Sequence, residues 1–144
     1  MRTPENKNQK DKVSAGGKKY KILFVEDDKF LLNMYALKFN ASGHEITTAL
    51  SATEALDKLR NGYTPEILIC DLIMPGMSGI ELLDIVKKEK LLPHAAIVVL
   101  TNQSEATEVT KAMKLGADGY IVKATKIPSE VVDMTLKIAK ERKV

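Results

Sequence analysis

One cysteine in 144 residues, Cys70, rules out an internal disulfide framework and suits a reducing cytoplasm. Its place inside an apolar run makes it a small buried hydrophobe rather than a redox thiol. No apolar stretch approaches the ~20 residues that span a bilayer, and no apolar signal segment follows the polar N-terminus. Aromatic residues are scarce. Neither a helix-turn-helix pattern nor a basic–aromatic surface is evident, so direct nucleic-acid binding is not expected.

Excess charge of one sign is also absent from most of the chain. The formal net charge is +3, yet residues 1–19 alone carry six Lys/Arg against two acids, and the remainder is slightly acidic. That basic leader is Lys, Asn, Gln and Gly with almost no apolar residues, a composition that predicts disorder. A single folded domain is expected over residues 20–144, a length with room for one full core.

The stretch Ile67-Leu-Ile-Cys-Asp71-Leu-Ile-Met-Pro-Gly-Met-Ser-Gly79 organises this domain. Its first four residues read as a buried parallel strand, which delivers a carboxylate, Asp71, at its C-terminal end. Lys21-Ile-Leu-Phe-Val25 repeats the arrangement and ends in Glu26-Asp27-Asp28. A helix is expected over residues 28–41, with Leu31, Met34, Tyr35 and Phe39 on its packed face. Phe30 and Leu37 fall outside that face, as edge packing or as a partner-docking stripe. Gly43 suits the left-handed position after a helix.

His44 to Leu50 reads as a second strand, with His44 structural for want of companion ligands. Ser51-Ala-Thr-Glu54 and Ser78-Gly-Ile-Glu81 have capping-box spacing for helices running through Asn61 and to about Lys90. His94 lies in the following loop and is expected to face solvent. Residues 95–100 form a fourth buried strand with Thr101 at its end, followed by a helix from Asn102 to Leu115. Residues 118–122 form a fifth strand ending at Lys123, and a last helix opens at Pro128 and runs to about Arg142.

Five strand–helix repeats with short connections predict a three-layer α/β sandwich on a five-stranded parallel sheet with five helices. A strand order of 2-1-3-4-5 sets strands 1 and 3 side by side where the order reverses, so their terminal acids meet. Four strand ends then carry Glu26/Asp27, Asp71, Thr101 and Lys123. Converging carboxylates repel one another and call for a cation, and Mg²⁺ fits hard oxygen ligands. A carboxylate can attack phosphorus, a lysine can neutralise the transferring group, and a threonine hydroxyl can donate to its oxygens.

Four motifs carry a family resemblance: Ile22-Leu-Phe-Val-Glu-Asp-Asp28, Asp71-Leu-Ile-Met-Pro-Gly-Met-Ser-Gly79, Val98-Val-Leu-Thr101 and Gly116-Ala-Asp-Gly-Tyr-Ile-Val-Lys123. The chain resembles a response-regulator receiver domain of two-component signalling, of flavodoxin-like fold, from residue 20 to about 142. The resemblance implies that Asp71 accepts a phosphoryl group from a histidine kinase or histidine phosphotransfer protein. It implies that Glu26, Asp27, Asp71 and the backbone carbonyl of Ile73 hold Mg²⁺, with Asp28 outside the acid pair. Thr101 and Lys123 would contact the phosphoryl group, and Tyr120 would be the switch aromatic.

Three departures stand out. Ala124 follows Lys123 where the family usually has proline after a cis peptide bond. Asn102 replaces a small residue. Ile73 and Gln103 lie where the family positions attacking water, and Ile73 cannot hydrogen-bond it, so slow self-dephosphorylation is expected. No output domain follows within the 144 residues, so the expectation is a stand-alone switch or phosphorelay carrier acting through a downstream protein partner. Phosphorylation-dependent pairing of two copies is left open. The alternatives are a receiver-fold interaction module that takes no phosphate and a Mg²⁺-dependent phosphohydrolase. The latter lacks a second acid at Ile73, and a flavin carrier would need a hydroxyl-rich loop after the first strand.

Overall fold

A computed structural model describes residues 17–102 and 105–144. The basic leader therefore lies outside the described residues through position 16, as does Gln103. Five strands and five α-helices alternate: β1 (Lys21–Val25), α1 (Lys29–Ala41), β2 (Glu45–Ala49), α2 (Ala52–Arg60) and β3 (Ile67–Asp71). They continue as α3 (Gly79–Lys88), β4 (Ala96–Thr101), α4 (Ala106–Lys114), β5 (Gly119–Val122) and α5 (Pro128–Glu141). A 3₁₀ turn at Lys123–Thr125 links β5 to α5.

The sheet is parallel throughout, in the order β2-β1-β3-β4-β5. β3 and β4 are buried along their whole length, which explains why they read as unbroken apolar runs rather than alternating ones. Successive side chains leave opposite faces of the sheet and build two cores. Ile22, Phe24, Ile67, Ile69, Val98 and Leu100 pack with Leu32, Tyr35 and Phe39 of α1 and with Val131 and Val132 of α5. Leu23, Val25, Leu68, Cys70 and Val99 pack on the other face with residues of α2, α3 and α4. Each fully buried aliphatic or aromatic side chain contributes roughly 1.5–3 kcal/mol.

Helix boundaries follow local chemistry. Asp28 caps α1 by accepting a bond from the Leu31 amide at 3.1 Å, so the helix begins at Lys29 rather than residue 28. Ser51 caps α2, and Ser78 with Glu81 forms a complete capping box on α3. Gly43 takes φ +93° after α1, the left-handed conformation a β-carbon would strain.

Two sequence expectations need correction. In α1 the buried residues are Leu32, Tyr35 and Phe39, whereas Leu31 and Met34 are only half-buried. Leu32, Tyr35 and Phe39 share one side at spacings of three and four, and this side meets the sheet. Phe30 and Leu37 are 77% and 71% exposed, as expected for positions off that side. The helix expected from Asn102 starts instead at Ala106, and the side chain of Glu105 just before it turns back toward the end of β4.

The buried His44 is structural: its Nδ1 accepts a bond from the Tyr20 amide at 3.0 Å, and burial lowers its pKa. His94 is exposed. Cys70 is fully buried, and burial pushes its thiol pKa up, consistent with an inert hydrophobe. No helix among the described residues is long and apolar enough to cross a membrane.

Candidate functional site

Strand register brings the polar residues together. Val25 pairs with Cys70, so Glu26 and Asp71 follow one another at the same level on adjacent strands. Asp71 pairs with Leu100, and Thr101 pairs with Val122, which places Thr101 and Lys123 one step beyond on their own strands. All four strand ends therefore open on the same edge of the sheet, where open α/β folds bind ligands.

Lys123 joins the two acidic strands. Its Nζ lies 2.9 Å from Asp71 Oδ2 and 3.2 Å from Glu26 Oε1. Glu26 also accepts a bond from the Asp28 amide at 3.1 Å. Glu26 and Asp71 are buried, at 1% and 4% exposure, while Asp27 faces solvent. Oxygens of Glu26, Asp27 and Asp71 all lie within 4.8 Å of one another.

The electrostatics of this cluster are unbalanced. Burial pushes the Glu26 carboxyl up to about 7, against the opposing pull of the Asp28 amide and Lys123. Burial also raises the Asp71 pKa, with Lys123 and the Ile73 amide pulling the other way. Burial alone would lower the Lys123 ammonium, but its bonds and charge contacts with Asp71 and Glu26 carry it above its ordinary value. Among the described residues, one ammonium faces three carboxylates, a surplus of negative charge that a divalent cation would neutralise. The donors are all hard oxygens, so the residues present fit Mg²⁺.

The remaining site residues are arranged as follows. Thr101 is buried at the β4 terminus, and its hydroxyl has Glu105 Oε1 at 2.8 Å and the Asn102 carbonyl at 3.0 Å as alternative acceptors. Tyr120 is 49% exposed beside a cleft of about 380 Å³ lined by Thr101, Ala106, Val109 and Val122. Ile73 is 50% exposed two residues after Asp71. The Lys123–Ala124 peptide bond is trans, and the 3₁₀ turn that follows still leaves the Lys123 amine on Asp71.

No sequence motif above includes Glu105. A signal for it exists, since Asn102 and Glu105 stand at the three-residue spacing of a capping box. The Glu105 carboxylate accepts from the Asn102 amide at 3.0 Å and is 3.1 Å from the Asn102 side-chain nitrogen.

Gly79 supports the site from beneath. A β-carbon there would overlap the Asp71 carbonyl oxygen and lie 2.8 Å from Leu72 Cα. Glycine lets α3 start directly against the loop that leaves Asp71, and the Gly79 amide donates to the Leu72 carbonyl at 2.8 Å.

An open parallel sheet that gathers a lysine and three acids at its reversal point defines a receiver-type α/β domain. The chain belongs to the response regulator receiver domain family, whose pattern it matches over residues 22–134. It is 32% identical over 112 residues to the DNA-binding response regulator MtrA of Mycolicibacterium paratuberculosis, covering 78% of this chain and 48% of that protein. It is 34% identical over 108 residues to the phosphate regulon transcriptional regulatory protein PhoB of Rhizobium meliloti, covering 75% and 47%. The chain thus spans about half the length of these curated relatives.

Among solved structures, the chemotaxis response regulator CheY4 of Vibrio cholerae superposes with a TM-score of 0.76 at 25% identity, covering 84% of this chain and 99% of that one. A CheY-like receiver domain protein from Methanospirillum hungatei gives 0.77 at 27% identity, covering 88% and 98%. Receiver domains of this family typically bind Mg²⁺ at an acidic pocket and interact with histidine kinases or phosphotransfer proteins.

Proposed function

We propose that this domain accepts a phosphoryl group on Asp71 from the phosphohistidine of a histidine kinase or histidine phosphotransfer protein. An Asp71 carboxylate oxygen attacks phosphorus, the phosphorus–nitrogen bond breaks, and the donor's imidazole leaves with the electron pair. Lys123, already against Asp71, remains paired with negative charge as it builds on the transferring oxygens. Glu26, Asp27, Asp71 and the Ile73 carbonyl are the residues that would hold Mg²⁺, which when bound offsets charge on the phosphoryl oxygens. Thr101 supplies a hydroxyl to the arriving group, and Tyr120 follows into the adjoining cleft.

The observation that carries this reading is the Lys123 amine set 2.9 Å from Asp71 and 3.2 Å from Glu26 within one acidic cluster. The domain works on its own aspartate and turns over no external substrate. Its buried thiol suits a cytoplasmic setting. DNA binding, part of the printed name of MtrA, is not assigned to this domain.

Incubation with acetyl phosphate and Mg²⁺, followed by intact mass measurement, tests the reading. Wild type gains one phosphoryl group, and Asp71→Ala gains none. An unmodified wild type would instead support the interaction module. Sustained turnover of a small phosphoester would support the phosphohydrolase.

A further inference from the structure

Thr101 must hand its only hydroxyl proton to one acceptor at a time. The nearer acceptor is Glu105 Oε1 at 2.8 Å, a carboxylate, with the Asn102 carbonyl at 3.0 Å as the competing one. The same Glu105 carboxylate takes the Asn102 backbone amide at 3.0 Å and sits 3.1 Å from the Asn102 side-chain nitrogen. One half-buried side chain thereby ties together the last residue of β4 and the one after it, immediately ahead of α4.

Resting on the reading of Asp71 as phosphoacceptor, we propose that Glu105 is a positioning residue, a latch that holds Thr101 away from the phosphoryl site and is released when the group arrives. A carboxylate acceptor makes a stronger bond than a neutral one. Thr101 can donate to a phosphoryl oxygen only by giving up Glu105, so the latch subtracts from the affinity of the site for the group. Its loss also frees Asn102, which loosens the entry to α4 in the same event. Glu105 thus sets how far the resting domain lies from its switched form.

Beryllofluoride with Mg²⁺ is the probe, because it occupies the phosphoryl position without a covalent step. Calorimetric titration of Glu105→Ala is expected to give roughly 5- to 10-fold tighter beryllofluoride binding than wild type, the worth of one hydrogen bond. Glu105→Gln, whose amide oxygen still accepts but more weakly, gives a smaller gain and serves as a second variant should the first be poorly folded. In a Thr101→Val background the gain disappears. A gain that persists in Thr101→Val would mean that removing a negative charge, rather than releasing the hydroxyl, favours the anion, and would overturn the latch. No gain in either background overturns it as well. Wild type that binds no beryllofluoride removes the phosphoacceptor reading itself, a failure separate from binding that is indifferent to Glu105.

Discussion

Lys123 Nζ rests 2.9 Å from Asp71 Oδ2 although a trans peptide bond and an alanine follow the lysine. The parallel pairing of Thr101 with Val122 brings the lysine to the pocket, and the residue after it only shapes the exit. The 3₁₀ turn at Lys123–Thr125 takes over the redirection of the chain into α5.

Removing this amine strands two buried carboxylates. Lys123→Ala is expected to lose nearly all phosphoryl uptake from acetyl phosphate. It should also lower stability by about 2 kcal/mol in metal-free buffer at pH 8, less than a fully buried broken pair because the amine is partly exposed. Urea denaturation checks the second figure. At pH 5.5 the loss should shrink, since Glu26 and Asp71 hold protons more readily than ordinary carboxylates.

Stability should depend on pH and metal together. The folded Glu26 pKa, about 7, lies above its ordinary value of 4.5, so between these values the folded state binds more protons than the unfolded state. Stability from this group is present below about pH 4.5 and declines as pH rises through 7. Mg²⁺ competes with those protons. The gain in Tm on adding Mg²⁺, measured against EDTA, should therefore grow from pH 5 to pH 8. Taking the difference cancels His44, whose lowered pKa gives the opposite trend below about 6.5. A gain that is constant or shrinks with pH would contradict the unbalanced pocket.

Gly79→Ala places a methyl group against the Asp71 carbonyl oxygen and Leu72. Backbone on both sides cannot swing away as a flexible side chain would. The expected loss is about 2–3 kcal/mol by urea denaturation, together with slower phosphoryl uptake as the Asp71 loop shifts.

On the reading that Ile73 occupies the place where attacking water would be positioned, its half-exposed aliphatic side chain offers that water no hydrogen bond. Ile73→Asn supplies hydrogen-bonding groups at that place and should shorten the phosphoryl half-life several-fold, followed by intact mass after removal of acetyl phosphate. An unchanged or longer half-life would show that the aliphatic side chain is not what slows hydrolysis.

The strand ends were readable because each buried run stops at a charged or hydroxylated residue, and parallel pairing leaves little freedom in where those stops meet. Capping boxes at Ser51 and Ser78 were readable for a similar reason, since the partners are three residues apart. The packed side of α1 was not. Nine of its 13 residues are apolar, so the pattern alone does not choose between Leu31 and Leu32. Packing decides it: Leu32 is buried in one cluster with Phe24, Tyr35 and Phe39, whereas Leu31 is only partly buried against that cluster. Glu105 escaped because its spacing suggests a helix cap, whereas its carboxylate also captures a strand-end hydroxyl that only the folded β4–α4 corner brings near.

Glu26 and Lys123 are 97 residues apart in the chain. During synthesis, all three acids are joined to the chain at least 52 residues before their ammonium partner. Until the edge strand docks, the nascent pocket can offset its charge only with protons, solvent or a borrowed ion. Docking of β5 therefore both completes the sheet and delivers the ammonium to its acidic mouth, and a chain cut short before β5 would leave that trio of carboxylates without it.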